Sequence, residues 1–140
     1  MATTRNARAH WEGTLFEGQG TVELTSSGIG TYPITWASRA EEANGKTSPE
    51  ELIAAAHASC FSMALSNGLA KTGNPAISLN TSVEVDFVPG TGITEIRITL
   101  SGEAENLDAA GFKAAAEDAK ANCPVSQALA AVPSITLTVV

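Results

Sequence analysis

The chain has few basic residues and little cysteine. Lysine and arginine together number 8 against 15 acidic residues, so the formal net charge is −7. A nucleic-acid partner is not expected, because phosphate binding requires clustered cations. Only two cysteines are present, Cys60 and Cys123. In a reducing cytosol two cysteines seldom form a structural staple, which favours a transient or catalytic pair. The alternative is that both are small buried hydrophobes.

We expect neither a secretory signal nor a membrane anchor in this sequence. Its beginning, MATTRNARAHWEG, has neither the apolar core nor the cleavage site of a secretory signal. We therefore expect no export and a cytoplasmic location. The longest apolar run, residues 52–65, is interrupted by polar residues and is too short to span about 30 Å of hydrocarbon. It is predicted to be a core helix, without a membrane partner. A length of 140 residues without repeats or linkers predicts a single domain, residues 1–140.

One long helix is clearly marked. Ser48 is a suitable N-cap, Pro49 fits the first helical position, and Glu51 completes a capping box. Gly73 can take the left-handed position after the last turn, which predicts a helix over residues 49–72. Apolar and small residues cover nearly every face, so we expect this helix to be packed on all sides, across a sheet or between two subunits.

The remaining pattern predicts an α+β domain with mostly antiparallel pairing and two main helices. Glycine-separated segments at residues 7–16, 21–26 and 31–38 are predicted strands. Period-2 alternation predicts a hairpin of residues 77–87 and 93–101. A second helix over residues 107–121, a short helix over 125–130 and a last strand over 135–140 follow.

Cys60 lies in the middle of the long helix, far from the amides that lower thiol pKa values at helix N-termini. A cation is therefore needed to make it a thiolate. Arg39, at the end of the third predicted strand, is the first choice because arginine keeps its charge when buried. A surface arginine paired with Glu41 or Glu42 is the alternative.

Glu50 is available for another role if Glu51 forms the capping box. Its ordinary role would be that of a surface carboxylate favoured by the helix dipole. Ten residues separate it from Cys60, which is about 15 Å along a continuous helix. If Glu50 serves a thiol, we expect that thiol to be Cys60 of a second subunit, with the two long helices crossing antiparallel.

Cys123 precedes Pro124 and should cap the short helix, where free amides favour a thiolate as a leaving or resolving group. His57, one turn before Cys60, could be a base or a metal ligand, although a lone histidine in such a helix is more often a packing residue. A zinc set of His10, His57, Cys60 and Cys123 matches none of the common ligand spacings.

Four segments together resemble the OsmC branch of the OsmC/Ohr family, the osmotically inducible and organic hydroperoxide resistance proteins. They are HWEG, SRAEE, SPEELIAAAHASCFSMAL and NCPVSQAL, and the resemblance runs nearly end to end. It implies an OsmC/Ohr-like fold in an intertwined homodimer with active sites at the interface. It also implies a stress-response peroxidase without a cofactor, which reduces organic hydroperoxides, and hydrogen peroxide less well.

By position, the resemblance makes Cys60 the peroxidatic thiol and Cys123 the resolving thiol. Arg39 matches the family's arginine, and Glu50 matches the glutamate that orients it. The implied cycle passes through a Cys60 sulfenic acid and a Cys60–Cys123 disulfide, which an external dithiol resets. Lipoylated protein, thioredoxin and small thiols all remain open as that reductant. A non-catalytic binding module and a metal-binding stress protein are the alternatives, and His57 receives no role.

Overall fold

Residues 1–52 and residues 53–140 form two compact units in the computed structural model, which describes the chain from Met1 to Val140. The expectation of a single domain stays a prediction. The long helix begins in the first unit and continues through the second.

The first unit contains a three-stranded antiparallel sheet. Its strands are β1 (Arg8–Glu12), β2 (Gln19–Glu23) and β3 (Thr31–Ile34), hydrogen-bonded in the order β1-β2-β3. All three predicted strands exist, but each is shorter than predicted.

A short helix, α1 (Trp36–Ala40), follows β3 where the sequence pattern predicted more strand. Thr35 caps it: its Oγ1 accepts a hydrogen bond from the Ser38 amide at 3.1 Å, and its amide donates to Ser38 Oγ at 3.0 Å. This reciprocal cap satisfies two orphan donors and favours the helical turn. The predicted position of Arg39 at a strand end is therefore wrong, because Arg39 lies in α1.

The long helix, α2 (Pro49–Lys71), has nearly the predicted bounds. Ser48 Oγ accepts the amide of Glu51 at 3.2 Å, as an N-cap should. The Glu51 carboxylate instead accepts the hydroxyl of Thr47 at 2.6 Å, so only half of the predicted capping box forms. At the other end Gly73 takes a φ of 79°, and the amide of Asn74 donates to the Leu69 carbonyl at 3.0 Å. This is the expected left-handed ending.

Within one chain, α2 is not packed on all sides as predicted. Phe61, Leu65 and Leu69 are fully buried, whereas Met63 is 67% exposed. The exposed residues are mostly small or polar: Ala55, Ala56, Ser59, Ser66, Asn67 and Ala70. The whole helix is long and apolar enough to cross a membrane by length and composition alone, a test that the core helix of a soluble protein also passes. The buried stripe is that of a core helix.

The second unit holds the hairpin β4 (Ala76–Val88) and β5 (Gly92–Ala104), then helices α3 (Ala109–Asn122) and α4 (Pro124–Ala128), and the last strand β6 (Ser134–Val139). The sheet order is β4-β5-β6, with β4 antiparallel and β6 parallel to β5. A parallel pair needs a long connection between its strands, and α3 and α4 supply it here. The α+β class with mostly antiparallel pairing is confirmed.

The core of the second unit is built on the central strand β5. Ile96, Ile98 and Leu100 alternate along it and are almost completely buried, while Arg97 between them faces carboxylates of the sheet. This is the period-2 pattern of a strand with one buried face. One cluster joins that face to α2, α3 and one cysteine, and its members are Phe61, Leu65, Leu69, Ile96, Ile98, Leu100, Phe112, Ala116, Ala119 and Cys123.

Candidate functional site

The two cysteines meet in the second unit. Cys60 comes from the middle of α2, and Cys123 occupies the junction where α3 ends and Pro124 starts α4. Cys123 is completely buried and Cys60 is partly exposed, and both are free thiols. The two thiols lie close enough for each to shift the pKa of the other, and Cys60 packs against the hydrophobic cluster that contains Cys123. A disulfide requires such proximity of the two side chains.

The pKa values of the two cysteines are shifted in opposite directions. Burial raises the pKa of Cys60, the amide of Val125 lowers it, and Cys123 raises it again, so the net shift is upward. Burial also raises the pKa of Cys123. The amide of Ser126, the Cys60 thiol, the Ser126 hydroxyl and the amide of Val125 together outweigh that effect, so the net shift is downward. Within one chain, the environment thus raises the pKa of Cys60 and lowers that of Cys123.

Arg39 and Glu50 form a pair in the first unit. Arg39 Nε donates to Glu50 Oε1 at 3.0 Å and to Oε2 at 3.2 Å, and Nη2 donates to Oε1 at 2.9 Å. The Glu50 side chain is 8% exposed and that of Arg39 is 32% exposed. A forked guanidinium contact of this kind fixes the orientation of the arginine as well as its charge.

Local hydrogen bonds bring that pair together. Ser38, next to Arg39, is buried, and its hydroxyl donates to the Thr47 carbonyl at 3.0 Å. The Thr47 amide in turn donates to the Pro33 carbonyl at 3.1 Å. These contacts close the turn between α1 and α2. Arg39 and Glu50 therefore become neighbours, although the loop between the two helices separates them in sequence.

Each unit carries an apolar cleft beside its candidate site residue. In the first unit a cleft of about 290 Å³ borders Arg39, and its other lining residues are Trp11, Leu15, Ile34, Thr35, Trp36 and Pro49. In the second unit a cleft of about 600 Å³ opens on Cys60, with Met63, Ala64 and Pro124 among its lining residues. Both clefts are suited to apolar groups.

The comparisons with known proteins agree on one family. The sequence profile of the OsmC family, described as OsmC-like protein, matches residues 42–138. The protein named Peroxiredoxin OsmC from Escherichia coli strain K12 is 40% identical over 134 residues, which cover 94% of this chain and 93% of the relative. This chain belongs to the OsmC-like protein family. The resemblance found in the sequence motifs is therefore confirmed.

Solved structures show the same fold for the OsmC-like chain. An OsmC-like protein from Mycoplasma pneumoniae has a TM-score of 0.74 at 14% identity and covers 100% of this chain and 98% of its own. An organic hydroperoxide resistance protein OsmC from Legionella pneumophila has a TM-score of 0.71 at 23% identity, with 99% and 98% covered. OhrB of Bacillus subtilis has a TM-score of 0.69 at 20% identity, with 96% and 98% covered. The OsmC/Ohr-like fold is confirmed.

The predicted site residues of this OsmC-like chain form two pairs. Arg39 contacts Glu50 within residues 1–52, and Cys60 contacts Cys123 within residues 53–140. The family profile includes Glu50 and both cysteines, while Arg39 lies just before it. The Arg39–Glu50 contact expected from the resemblance is present, and the catalytic roles and charge states stay predictions. Within one chain the pKa of Cys60 is raised, chiefly by burial, and that of Cys123 is lowered.

Sequence reasoning missed a second polar contact beside the cysteines. His57 is fully buried, and its Nε2 lies 2.7 Å from the hydroxyl of Ser126, which is also buried. The Ser126 side chain also contributes to the lowered pKa of Cys123. The sequence did contain a signal for this contact, since His57 and Ser126 each lie one helical turn from a cysteine. It did not show that these two helical turns would pack against each other.

The chain contains no group of three or more histidine, cysteine, aspartate or glutamate side chains arranged to hold a metal ion. His57 Nε2 instead lies within hydrogen-bond distance of the Ser126 hydroxyl.

Proposed function

We propose that this chain is a cysteine-based peroxidase that reduces organic hydroperoxides to alcohols, and hydrogen peroxide less well. The observation that carries the proposal is the proximity of Cys60 and Cys123, each of which shifts the pKa of the other, in a protein of this family. The named relatives support it: the Escherichia coli relative is called a peroxiredoxin, and the Legionella and Bacillus proteins are called organic hydroperoxide resistance proteins.

The first step belongs to Cys60. As a thiolate it attacks the distal oxygen of the hydroperoxide, the O–O bond breaks, and the alkoxide takes up a proton and leaves as the alcohol. Cys60 is then a sulfenic acid. Its partial exposure and the cleft beside it suit this role, whereas Cys123 is completely buried.

The second step belongs to Cys123. Its thiolate attacks the sulfur of the sulfenic acid, the S–S bond forms, and the S–O bond breaks with loss of hydroxide, which is protonated to water. An external dithiol then reduces the Cys60–Cys123 disulfide by thiol–disulfide exchange and is itself oxidised. Lipoylated protein, thioredoxin and small thiols have the chemistry required. A reducing compartment keeps the cycle running, which fits a cytoplasmic location.

The cation that ionises Cys60 comes, in our proposal, from a second copy of the chain. Cys60 has a raised pKa within one chain, so its own surroundings do not make it a thiolate. Helix α2 is unbroken, and ten residues along it correspond to about 15 Å, which keeps Glu50 from the Cys60 of the same helix. The exposed small residues of α2 leave a face on which a second α2 can pack closely. We therefore propose a homodimer in which Arg39, held by Glu50, faces the partner's Cys60.

The substrate class follows from the clefts. Met63 lines the cleft at Cys60, and two tryptophans, Trp11 and Trp36, line the cleft at Arg39. In a dimer that joins Arg39 to Cys60, both apolar surfaces border the reacting atoms. Such a pocket favours alkyl or lipid hydroperoxides over hydrogen peroxide, because the latter gains nothing from apolar burial.

The chemistry is tested by mass spectrometry after addition of one equivalent of cumene hydroperoxide to the reduced protein. We expect a peptide that contains the Cys60–Cys123 disulfide. Cys60→Ser should abolish turnover with a dithiol, and Cys123→Ser should accumulate a sulfenic acid that dimedone traps. Unchanged peroxide consumption in both variants, or the absence of peroxide consumption in the wild type, would instead favour a binding module with inert cysteines.

The dimer is tested by subunit complementation. Arg39→Met and Cys60→Ser chains are each expected to be inactive alone, and they are mixed, unfolded and refolded together. If arginine and cysteine come from different chains, each mixed dimer has one intact site, so an equimolar mixture recovers about a quarter of the wild-type activity. If both come from the same chain, no mixed dimer has an intact site and the mixture stays inactive.

A further inference from the structure

The two cysteines differ in their access to solvent. Cys60 is partly exposed, whereas Cys123 is 0% exposed and belongs to the hydrophobic cluster of the second unit. Backbone hydrogen bonds hold Cys123 on both sides: its amide donates to the Ala119 carbonyl at 2.8 Å, and its carbonyl accepts the Gln127 amide at 3.0 Å. The junction between α3 and α4 therefore keeps Cys123 inside the core.

The cleft of the second unit gives access to one of these sulfurs. Its volume is about 600 Å³, and Cys60 lines it whereas Cys123 does not. Its walls come from α2, from the end of α3 and from Pro124. A small thiol that enters this cleft therefore meets Cys60.

We propose that the external dithiol enters this cleft and attacks the Cys60 sulfur of the Cys60–Cys123 disulfide, so that Cys123 is the leaving thiolate. The proposal rests on the proposed peroxidase function and deepens it, because it places the reductant at one sulfur. In thiol–disulfide exchange the attacking thiolate approaches along the S–S bond, from the side opposite the leaving sulfur, and access to the attacked sulfur limits the rate. For Cys123 every such approach crosses the packed core, since none of its surface is exposed.

The properties of the leaving sulfur favour the same order. In thiol–disulfide exchange, a leaving thiol with a lower pKa departs faster. Within one chain the pKa of Cys123 is lowered, and that of Cys60 is raised, chiefly by burial. Cys123 is therefore the better leaving group of the two, and it departs when Cys60 is attacked.

The exchange is balanced by the two thiols of the reductant. The first thiolate forms a bond to Cys60 Sγ, the Cys60–Cys123 bond breaks, and Cys123 leaves with the electron pair and takes up a proton. The second thiolate then attacks the reductant's own sulfur in the mixed disulfide, and Cys60 leaves as a thiolate. The reductant ends as a disulfide, and both cysteines are reduced.

The attacked sulfur is identified by trapping, without peroxide. Diamide first oxidises the reduced protein to the Cys60–Cys123 disulfide. Excess 2-mercaptoethanol, a monothiol that cannot resolve the mixed disulfide internally, is then added briefly before a quench with N-ethylmaleimide at low pH. Mass spectrometry of the peptides shows which cysteine carries the mercaptoethanol. We expect at least about tenfold more adduct on Cys60 than on Cys123.

Single-cysteine variants measure the access to each sulfur separately. Cys123→Ser and Cys60→Ser are each converted to the methyl disulfide with methyl methanethiosulfonate in urea and then refolded. Dithiothreitol should remove the methylthio group from Cys60 about 100-fold faster than from Cys123, because attack on a buried sulfur requires a local opening of the core. In urea the two rates should become similar. The trapping experiment carries the test if the modified Cys60→Ser chain fails to refold.

Gly68→Leu tests whether the reductant uses the cleft. Gly68 lines it, and a Cβ at that position would meet no atom within 4 Å, so a leucine fits there without a clash. Reduction of the diamide-formed disulfide by dithiothreitol should slow about tenfold. Urea unfolding should show no loss of stability, since glycine is a poor helix former. Ala114→Leu is the matched control, because Ala114 is exposed on α3 and does not line the cleft; it should keep the wild-type rate.

The proposal is overturned if the adduct forms mainly on Cys123, if the two folded variants lose their methylthio groups at equal rates, or if diamide forms no Cys60–Cys123 disulfide. An unchanged rate in Gly68→Leu would overturn the assignment of the reductant to the cleft. Failure of the proposed function looks different, because diamide would still link the two cysteines whereas cumene hydroperoxide would not.

Discussion

Replacement of Glu50 by glutamine tests how the arginine is held. The Glu50 side chain is 8% exposed and makes three hydrogen bonds to Arg39. In Glu50→Gln the remaining oxygen can accept two of them, while the new NH₂ group faces the Nε–H of Arg39 as a second donor. One charge-assisted bond is lost, which costs about 2 kcal/mol in the free energy of unfolding. At a urea dependence of about 2 kcal/mol per M, the midpoint should fall by about 1 M.

The activity of Glu50→Gln should fall by more than its loss of unfolding free energy would explain. The guanidinium loses the fork that sets its orientation, and a displacement of about 1 Å at a reacting group costs about 10²-fold in rate. The assay is kcat/KM for cumene hydroperoxide at saturating dithiol, with urea unfolding followed at one fixed protein concentration.

Glu51→Gln is the matched control on the next residue of the same helical turn. Glu51 is exposed and accepts the Thr47 hydroxyl, a contact that glutamine also makes. Its unfolding free energy should change by less than about 0.5 kcal/mol, with activity retained. Equal activity losses in the two variants, or full activity in Glu50→Gln, would show that the contact with Arg39 does not organise the site.

Three further predictions concern stability and charge. Ile98→Ala should lower the free energy of unfolding by about 2–5 kcal/mol in urea titrations, because Ile98 is 1% exposed in the core, and should leave the kcat of the folded fraction near that of the wild type. Burial lowers the pKa of His57 from 6.5, so the unfolded state binds more protons; unfolding midpoints should fall as pH drops below about 6.5, less so in His57→Gln and as in the wild type in His10→Gln. The side-chain hydrogen bond from Arg97 lowers the pKa of Asp86, so Arg97→Met should raise that pKa in an NMR titration, and an unchanged value would contradict the assignment.

Secondary structure was predicted well where local chemistry decides it. The bounds of α2 follow from Ser48, Pro49 and Gly73, because caps and breakers act within one helical turn. The hairpin was predicted from the alternation of apolar and polar residues, because that pattern depends only on two strands that are adjacent in the sequence. Helix α1 was missed because it is short and its capping signal consists of only Thr35 and Ser38. Strand-forming residues before it made a strand the stronger prediction.

The family motifs named the candidate site residues, whose roles stay predictions. Cys60 and Cys123 were predicted as a pair, and each lies close enough to shift the pKa of the other. The sequence predicted free amides at Cys123 from its position before Pro124, but the raised pKa of Cys60 depends on burial and on neighbours that come together only in the fold. The contact between His57 and Ser126 escaped for the same reason.

The sequence by itself determined the family and the approximate bounds of α2 and of the hairpin, and it named four candidate site residues. These features depend on short-range geometry or on motif identity, both of which are present in consecutive residues. Only the tertiary structure decided in which direction the pKa of each cysteine shifts, that β6 runs parallel to β5, and that His57 reaches Ser126. Those outcomes depend on the distances between residues far apart in the chain, and the packing of α2, α3 and α4 on the sheet of the second unit fixes those distances.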